Sequence, residues 1–255
     1  MTFRLGYVIL HYQLSDLTNA CIDSLMQHAP GAQVLVLDNG SPSPFDWQGQ
    51  TLRLPSNLCF AKAMNKATST MFSSANVDAV VQLNNDIVLT GTVDDQVVWA
   101  FQRSPRLGIA APMMNQEDVG YMYQACPEEP GPLAEAYLSE HLPHESLEIV
   151  PFVDNAAFAI RRRVWEEVGG LEERFSGVSW GANYDYCWRA RTAGWEIGLI
   201  RSAFVFHRHG ATWGRLDPEY PSHAAQQMMS EMREVWGDMA DKVSYRELVR
   251  QWRAK

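Results

Sequence analysis

Two hydrophobic periods alternate along the first half of the chain. Short apolar runs at Leu5–Tyr12, Val34–Leu37, Thr51–Leu54, Val80–Leu83 and Gly108–Met113 read as strands. Between them, apolar residues recur at helical spacing. Leu17, Cys21, Leu25 and Met26 follow Ser15 as an N-cap and precede a Pro30-Gly31 stop, and Ala61–Ser73 and Val93–Arg103 give two further helices. Val80, Val81 and Leu83 fit a parallel strand buried on both faces. This alternation predicts an α/β domain with a doubly wound, mainly parallel sheet and right-handed crossovers. Residues 114–148 are rich in proline and glutamate with no clear period, and read as a lid, a binding loop or a small β excursion. Beyond them, Phe152–Ile160 reads as a strand, and a short helix over Arg163–Val168 stops at Gly169-Gly170. A loop at 176–181 leads into a helix over Asn183–Ala193, and Ile197–Ile200 and Ala203–Phe206 are strands. From Ser222 the tail is helical, with a break near Gly237.

Composition narrows the function classes. The 255 residues suffice for one large α/β domain or two small ones. The division expected is 1–215 as the main domain and 216–255 as a helical extension packed on it or on a partner. A net charge of −9 argues against a general binder of nucleic acid or anionic membrane. The four cysteines form no CxxC pair, which gives neither a zinc site nor a disulfide framework and leads us to expect a reducing cytoplasm. No apolar run approaches the ~18 residues that span a bilayer, and the N-terminal run reads as a strand rather than a signal peptide. GxGxxG after the first strand and GxxxxGK[ST] are both absent, which disfavours dehydrogenases and P-loop enzymes.

The candidate chemistry begins at Asn84-Asn85-Asp86. This polar elbow follows a buried strand, at the strand end where open α/β sheets bind ligands. Hard oxygen ligands there suit Mg²⁺ or Mn²⁺ held together with a substrate diphosphate. The plainer alternative is an Asn/Asp turn. Asp38 and Asp185 likewise follow an apolar strand or open a helix, with a turn or helix-start role as their alternatives.

The motifs DNGS (Asp38–Ser41), NLCFAKAMN (Asn57–Asn65), QLNNDIVL (Gln82–Leu89), FAIRRRVWEEVGGLEERF (Phe158–Phe175), YDYCWRARTAGWEI (Tyr184–Ile197) and VFHRHGAT (Val205–Thr212) stand in this order. Together they resemble the family 2 glycosyltransferases of GT-A fold, with rhamnosyltransferase-like members nearest in character. The resemblance implies a GT-A-like Rossmann-type sheet flanked by helices, with a helical C-terminal tail. It also implies metal-dependent, inverting transfer of a sugar from a nucleotide diphosphate donor of UDP, dTDP or GDP type to an acceptor hydroxyl. By position it assigns Asp38 to the nucleobase or ribose, and it places Asn57, Lys62 and Asn65 along the nucleotide together with Asn84 and Asn85. Asp86 becomes the metal ligand, and His207 completes the metal or diphosphate site.

One departure stands out. Relatives carry an acidic pair in a pattern like EDxDLCxR, and the usual catalytic acidic position falls here on Asn183. Asp185 is retained and becomes the candidate base, with Asp154 next. Trp180, Tyr184 and Asn155 are candidates for acceptor contact, with core packing or capping as their alternatives. Arg161–Arg163 reads either as a phosphate grip or as the solvated start of a helix, and His209 as structural. The acceptor expected is a saccharide or glycoconjugate. Transfer to a hydroxymethylated base in DNA, a nucleotidyltransferase, and a nucleotide-sugar-binding protein without turnover are the rivals. Tyr245, Leu248, Val249 and Trp252 with Arg246, Arg250, Arg253 and Lys255 give a basic amphipathic end. It would dock on the domain, on a second subunit of a homo-oligomer, or on the inner face of a membrane.

Overall fold

A computed structural model describes residues 3–91, 93–115, 129–177, 179–208, 210–211, 215 and 219–237. The strands are β1 (Leu5–His11), β2 (Gln33–Asp38), β3 (Gln50–Arg53), β4 (Ala79–Asn84), β5 (Ile87–Leu89), β6 (Leu107–Met114), β7 (Leu147–Ile149), β8 (Ala157–Arg161) and β9 (Glu196–His207). The helices are α1 (Ser15–His28), α2 (Phe60–Ser74), α3 (Val93–Arg103), α4 (Pro132–His141), α5 (Arg162–Val168), α6 (Ala182–Thr192) and α7 (Tyr220–Trp236). One sheet runs β3-β2-β1-β4-β8-β6-β9-β5, with β7 on β9. β3, β2, β1, β4, β6 and β9 share a direction, while β8, β5 and β7 oppose it. The expected α/β architecture is present, with β8 inserted antiparallel between β4 and β6.

The apolar faces sort the helices. α1 and α3 pack on one side of the sheet around Cys21, Leu25, Val97 and Phe101. α2, α5 and α6 pack on the other around Met64, Val164 and Tyr186, with Met232 of α7 joining them. Gly6 lets α2 lie close to β1, since a Cβ there would stand 2.8 Å from Met71 Sδ.

Arg161 and Arg162 are neither a phosphate grip nor a solvated helix start. Arg161 donates to the carbonyls of Leu107, Phe101 and Ser104, at the end of α3. Arg162 donates to those of Val77, Phe72 and Ala75, at the end of α2, and lies 4.7 Å over the Phe72 ring. Consecutive residues leaving a strand point to opposite faces, so two neighbouring guanidinium groups close the carboxyl ends of two helices on opposite sides of the sheet.

Local chemistry shifts other boundaries. Ser15 lies inside α1, and Leu14 stands at the cap without a side-chain hydrogen bond. β8 starts at Ala157 rather than Phe152, because Asp154 Oδ1 accepts the Ala156 N–H at 2.7 Å and turns the chain. The two strands expected at 197–206 are one, interrupted by a register shift opposite Pro112, which has no N–H to give. α4 and β7 fall in the stretch that shows no period. α7 begins at Tyr220 and ends at Gly237, whose φ is +56°. The basic amphipathic end after Gly237, His209 and Thr212 lie outside the described residues.

Candidate active site

The carboxyl ends of β1, β2, β4, β6 and β9 and the amino end of β8 share one rim. At its centre β4 ends on Asn84, and a turn through Asn85 and Asp86 leads into β5, which pairs Ile87 with His207 of β9. That register brings His207 Nε2 to 3.3 Å from Asp86 Oδ1. Asp86 Oδ2 accepts the Ala211 N–H at 3.3 Å. Burial alone would raise the Asp86 pKa, but the His207 bond and charge, helped by backbone N–H groups, hold it below the ordinary carboxylate value. Burial would likewise lower His207, yet the Asp86 bond and charge, and the charge of Asp154, hold it above its usual value. The two form a buried, directly contacting pair.

These residues fit a hard divalent cation. Asn84 Oδ1 is buried at the same strand end and has no hydrogen-bond partner among the described residues. A buried carbonyl oxygen two residues before a carboxylate that meets an imidazole is the start of a ligand set. Among the described residues no three His, Cys, Asp or Glu side chains group around one point. A cation would then be held by Asp86 and His207 and completed by diphosphate oxygens, as is usual for Mg²⁺ at phosphate sites.

On the donor side, Asp38 is fully buried. Its Oδ1 accepts Ser41 N–H at 2.9 Å, and its Oδ2 accepts Phe45 N–H and Arg53 Nη1, each at 3.2 Å. Asp38 thus shapes the loop at 39–45, and a contact to base or ribose would have to come through what that loop presents. Asn57 and Lys62 are exposed. Asn57 Oδ1 accepts from Asn39 Nδ2 at 3.1 Å, and Leu58 N–H donates to Asn39 Oδ1 at 2.9 Å. Gly40 makes this cross-link feasible: its φ is +74°, and a Cβ there would stand 2.3 Å from the Ser56 carbonyl carbon. Asn65 is engaged elsewhere. Its amide donates to Leu171 O and accepts from Leu171 N–H, at 2.9 and 2.8 Å, so it braces α2 against the loop after α5. Asn85 Nδ2 donates to Thr18 Oγ1, which also meets His11 Nδ1 at 2.7 Å.

On the acceptor side the leading base candidate is held by two protein donors. Asp185 is buried, its Oδ2 accepts Arg189 Nε at 2.7 Å, and its Oδ1 accepts the Trp236 indole N–H at 3.1 Å. Each oxygen thus already accepts one bond, which fastens α6 to itself and to α7. Asp154 and Asn155 sit half-buried in the turn before β8. Tyr184 packs edge-on against Phe152 at 4.9 Å, and burial, then the nearby Asp154 charge, raises its pKa. Trp180 is exposed just before α6.

Beside Asn183, which the sequence singles out, several contributing residues carried no signal in the chain order. Asn183 Nδ2 donates to Val153 O at 2.9 Å. Ser179, with φ +54°, accepts Ala61 N–H at 3.0 Å and so caps α2 from a distant loop. Glu231 of α7 accepts Ser176 N–H at 3.0 Å and holds that same loop. His11 could have been suspected only as a polar residue ending an apolar strand.

Uncharacterised proteins of Mycobacterium bovis and Mycobacterium tuberculosis are 26% identical to this chain over 194 residues, 75% of this chain and 69% of theirs. No family model matches the chain. Among solved structures, GalNAc-T7 with UDP, GalNAc and Mn²⁺ matches 81% of this chain with a TM-score of 0.61 at 13% identity. The mannosyltransferase PcManGT of Pyrobaculum calidifontis, in complex with GDP-Man and Mn²⁺, matches 92% with a TM-score of 0.58 at 13% identity. S. aureus TarS 1-349 matches 91% with a TM-score of 0.54 at 12% identity. The fold is GT-A-like. The chain spans 44%, 64% and 66% of those three structures' own chains. Among the described residues no helix is long and apolar enough to cross a membrane.

Proposed function

We propose that this chain is a metal-dependent inverting glycosyltransferase. It moves a sugar from a nucleotide diphosphate donor to a hydroxyl of a saccharide or glycoconjugate. The observation that carries this is the buried Asp86–His207 pair, at the rim of a GT-A-like sheet, with Asn84 Oδ1 at the same strand end lacking a partner among the described residues. Fold neighbours crystallised with UDP or GDP-Man and Mn²⁺ support the donor class. Mn²⁺ or Mg²⁺ held there would neutralise charge on the departing diphosphate. The chain's own residues position that chemistry. Thr18 holds the Asn84–Asp86 elbow through Asn85, and the Asn39–Asn57 bridge fixes the loops on the donor side. Lys62, exposed on the first turn of α2, supplies a cation for a phosphate.

The test is thermal unfolding with UDP, dTDP, GDP or CDP, each with and without Mn²⁺, in the wild type and Asp86→Ala. A ligand at 100 times its Kd adds about 2.7 kcal/mol, or roughly 5 °C for a domain of this size. We expect one nucleotide to give such a shift, only with metal and only in the wild type. No shift with any nucleotide sinks the donor site. A second reading, a nucleotide-sugar-binding protein without turnover, draws on the absence of a carboxylate at Asn183 and the engagement of Asp185. Metal-dependent nucleotide binding with no release of nucleotide from any donor would establish it.

A further inference from the structure

We infer that Asp154 is the proton acceptor of the transfer and that Asn183, which stands where a carboxylate is expected, is the positioning residue that aims it. This rests on the transferase reading above. Among the described residues, Asp38, Asp86, Asp154 and Asp185 lie on or beside the rim. Asp38 is buried under three donors, Asp86 is paired with His207, and Asp185 is closed by Arg189 and Trp236. Asp154 differs in two ways. It keeps solvent access, and only its Oδ1 is taken, by the Ala156 N–H at 2.7 Å. Oδ2 has no donor among the described residues.

The turn that carries Asp154 is held from both sides of the site. Asn84 N–H donates to Ala156 O at 2.9 Å, two residues after Asp154 and two before Asp86 in their respective segments. Asn183 Nδ2 donates to Val153 O at 2.9 Å, immediately before Asp154. The backbone on either side of Asp154 is therefore tied by one bond to the Asn84–Asp86 elbow and by another to the first turn of α6, and the Asp154 carboxylate is held to that backbone by the Ala156 N–H. It lies close enough for its charge to act on both His207 and Tyr184.

The amide at position 183 is chemically required for this arrangement. An ionised aspartate has no hydrogen to give the Val153 carbonyl. A second carboxylate close to Asp154 would also favour the protonated form of one of them, and a proton acceptor must be ionised. Asn183 avoids both problems. In the step itself, the acceptor hydroxyl gives its proton to Asp154 Oδ2 while its oxygen bonds to the anomeric carbon. The anomeric C–O bond to the diphosphate breaks, and the electron pair leaves on the diphosphate.

The test follows nucleoside diphosphate release from UDP-glucose, UDP-N-acetylgalactosamine, GDP-mannose and dTDP-rhamnose with Mn²⁺ and water as acceptor. Calorimetric binding of UDP, GDP and dTDP is measured on the same proteins. Asp154→Asn should lower turnover by ~100-fold or more, the usual loss for a missing base, with nucleotide Kd within about twofold. Asn183→Ala and Asn183→Asp should each lower turnover by roughly tenfold at unchanged donor KM, because they misdirect the base without touching the donor. A purely structural Asn183 would instead show its loss in Tm and in donor KM, and would overturn the aiming role. Asp154→Asn that binds nucleotide and turns over within about threefold of wild type would overturn the Asp154 assignment alone. A wild type that binds nucleotide but never releases it from a donor would establish the reading without turnover and overturn both the transferase reading and this inference. A wild type that binds no nucleotide would take down the transferase reading and this inference with it.

Discussion

Replacing Asp185 by alanine separates a base from a brace. The substitution breaks an ion pair in which the Asp185 side chain is 6% exposed and the Arg189 side chain 28%. Breaking a buried pair from one side costs about 3–5 kcal/mol, most of it from the charge left behind. Arg189 keeps its bonds to Val168 O and Gly170 O, at 3.0 and 2.8 Å, and some access to water, so the low end of that range applies, ~3 kcal/mol. The Trp236 indole N–H loses its acceptor as well, which adds about 1 kcal/mol. A total near 4 kcal/mol corresponds to a fall in Tm of about 8 °C for a chain of this length. The protein should stay folded at 25 °C, since natural domains carry roughly 5–15 kcal/mol. Calorimetry supplies the Tm, and nucleotide release from a donor sugar, normalised to folded protein, supplies the activity. Asp185→Asn, which keeps the shape and one acceptor, should lose about half as much stability as the alanine variant. A Tm change below about 2 °C with turnover lost at either variant would refute the reasoning and restore Asp185 as the base.

Three other consequences follow from the same structure. Arg162→Met should cost about 3 kcal/mol in chemical denaturation, because three carbonyls at the end of α2 lose a charged donor; a cost under ~1 kcal/mol would show those bonds to be replaceable by water. Ser179→Ala should cost about 1–2 kcal/mol and speed hydrogen exchange at the Ala61 amide, which loses its acceptor; unchanged exchange there would refute the capping role. In native protein at pH 8, a thiol reagent followed by peptide mapping should modify half-buried Cys59 well before Cys21 and Cys187. Burial pushes the Cys187 thiol up to about 12 and raises Cys21 as well, and modification of Cys187 at the Cys59 rate would contradict this.

Much of the frame is local in origin and could be read along the chain. β1, β2, β4 and β6 announce themselves as apolar runs because strands covered on both faces need no polar alternation. α1, α2 and α3 announce themselves by helical spacing. Asp86 was legible because it interrupts such a run, and His207 because of the motif around it. Where a residue's partner lies far away in sequence, the chain order says nothing. Asp185 reads as a helix-opening carboxylate free for chemistry until α7 delivers Trp236 to it. Arg161 and Arg162 read as a solvated pair until the ends of α3 and α2 arrive on opposite faces of the sheet.

What the sequence determined by itself was the run of elements from β1 to β4 with α1 to α3 and β6, the polar elbow at a strand end, and the absence of a carboxylate at position 183. Each depends on spacing within one segment and on which groups a side chain carries. The tertiary structure decided the insertion of β8 between β4 and β6, which brings the Asp154 turn beside the Asp86 elbow. It also decided which carboxylates remain open. A carboxylate is a ligand, a base or a brace according to the donors that reach it, and those donors come from segments more than fifty residues away in the case of Trp236 and Asp185.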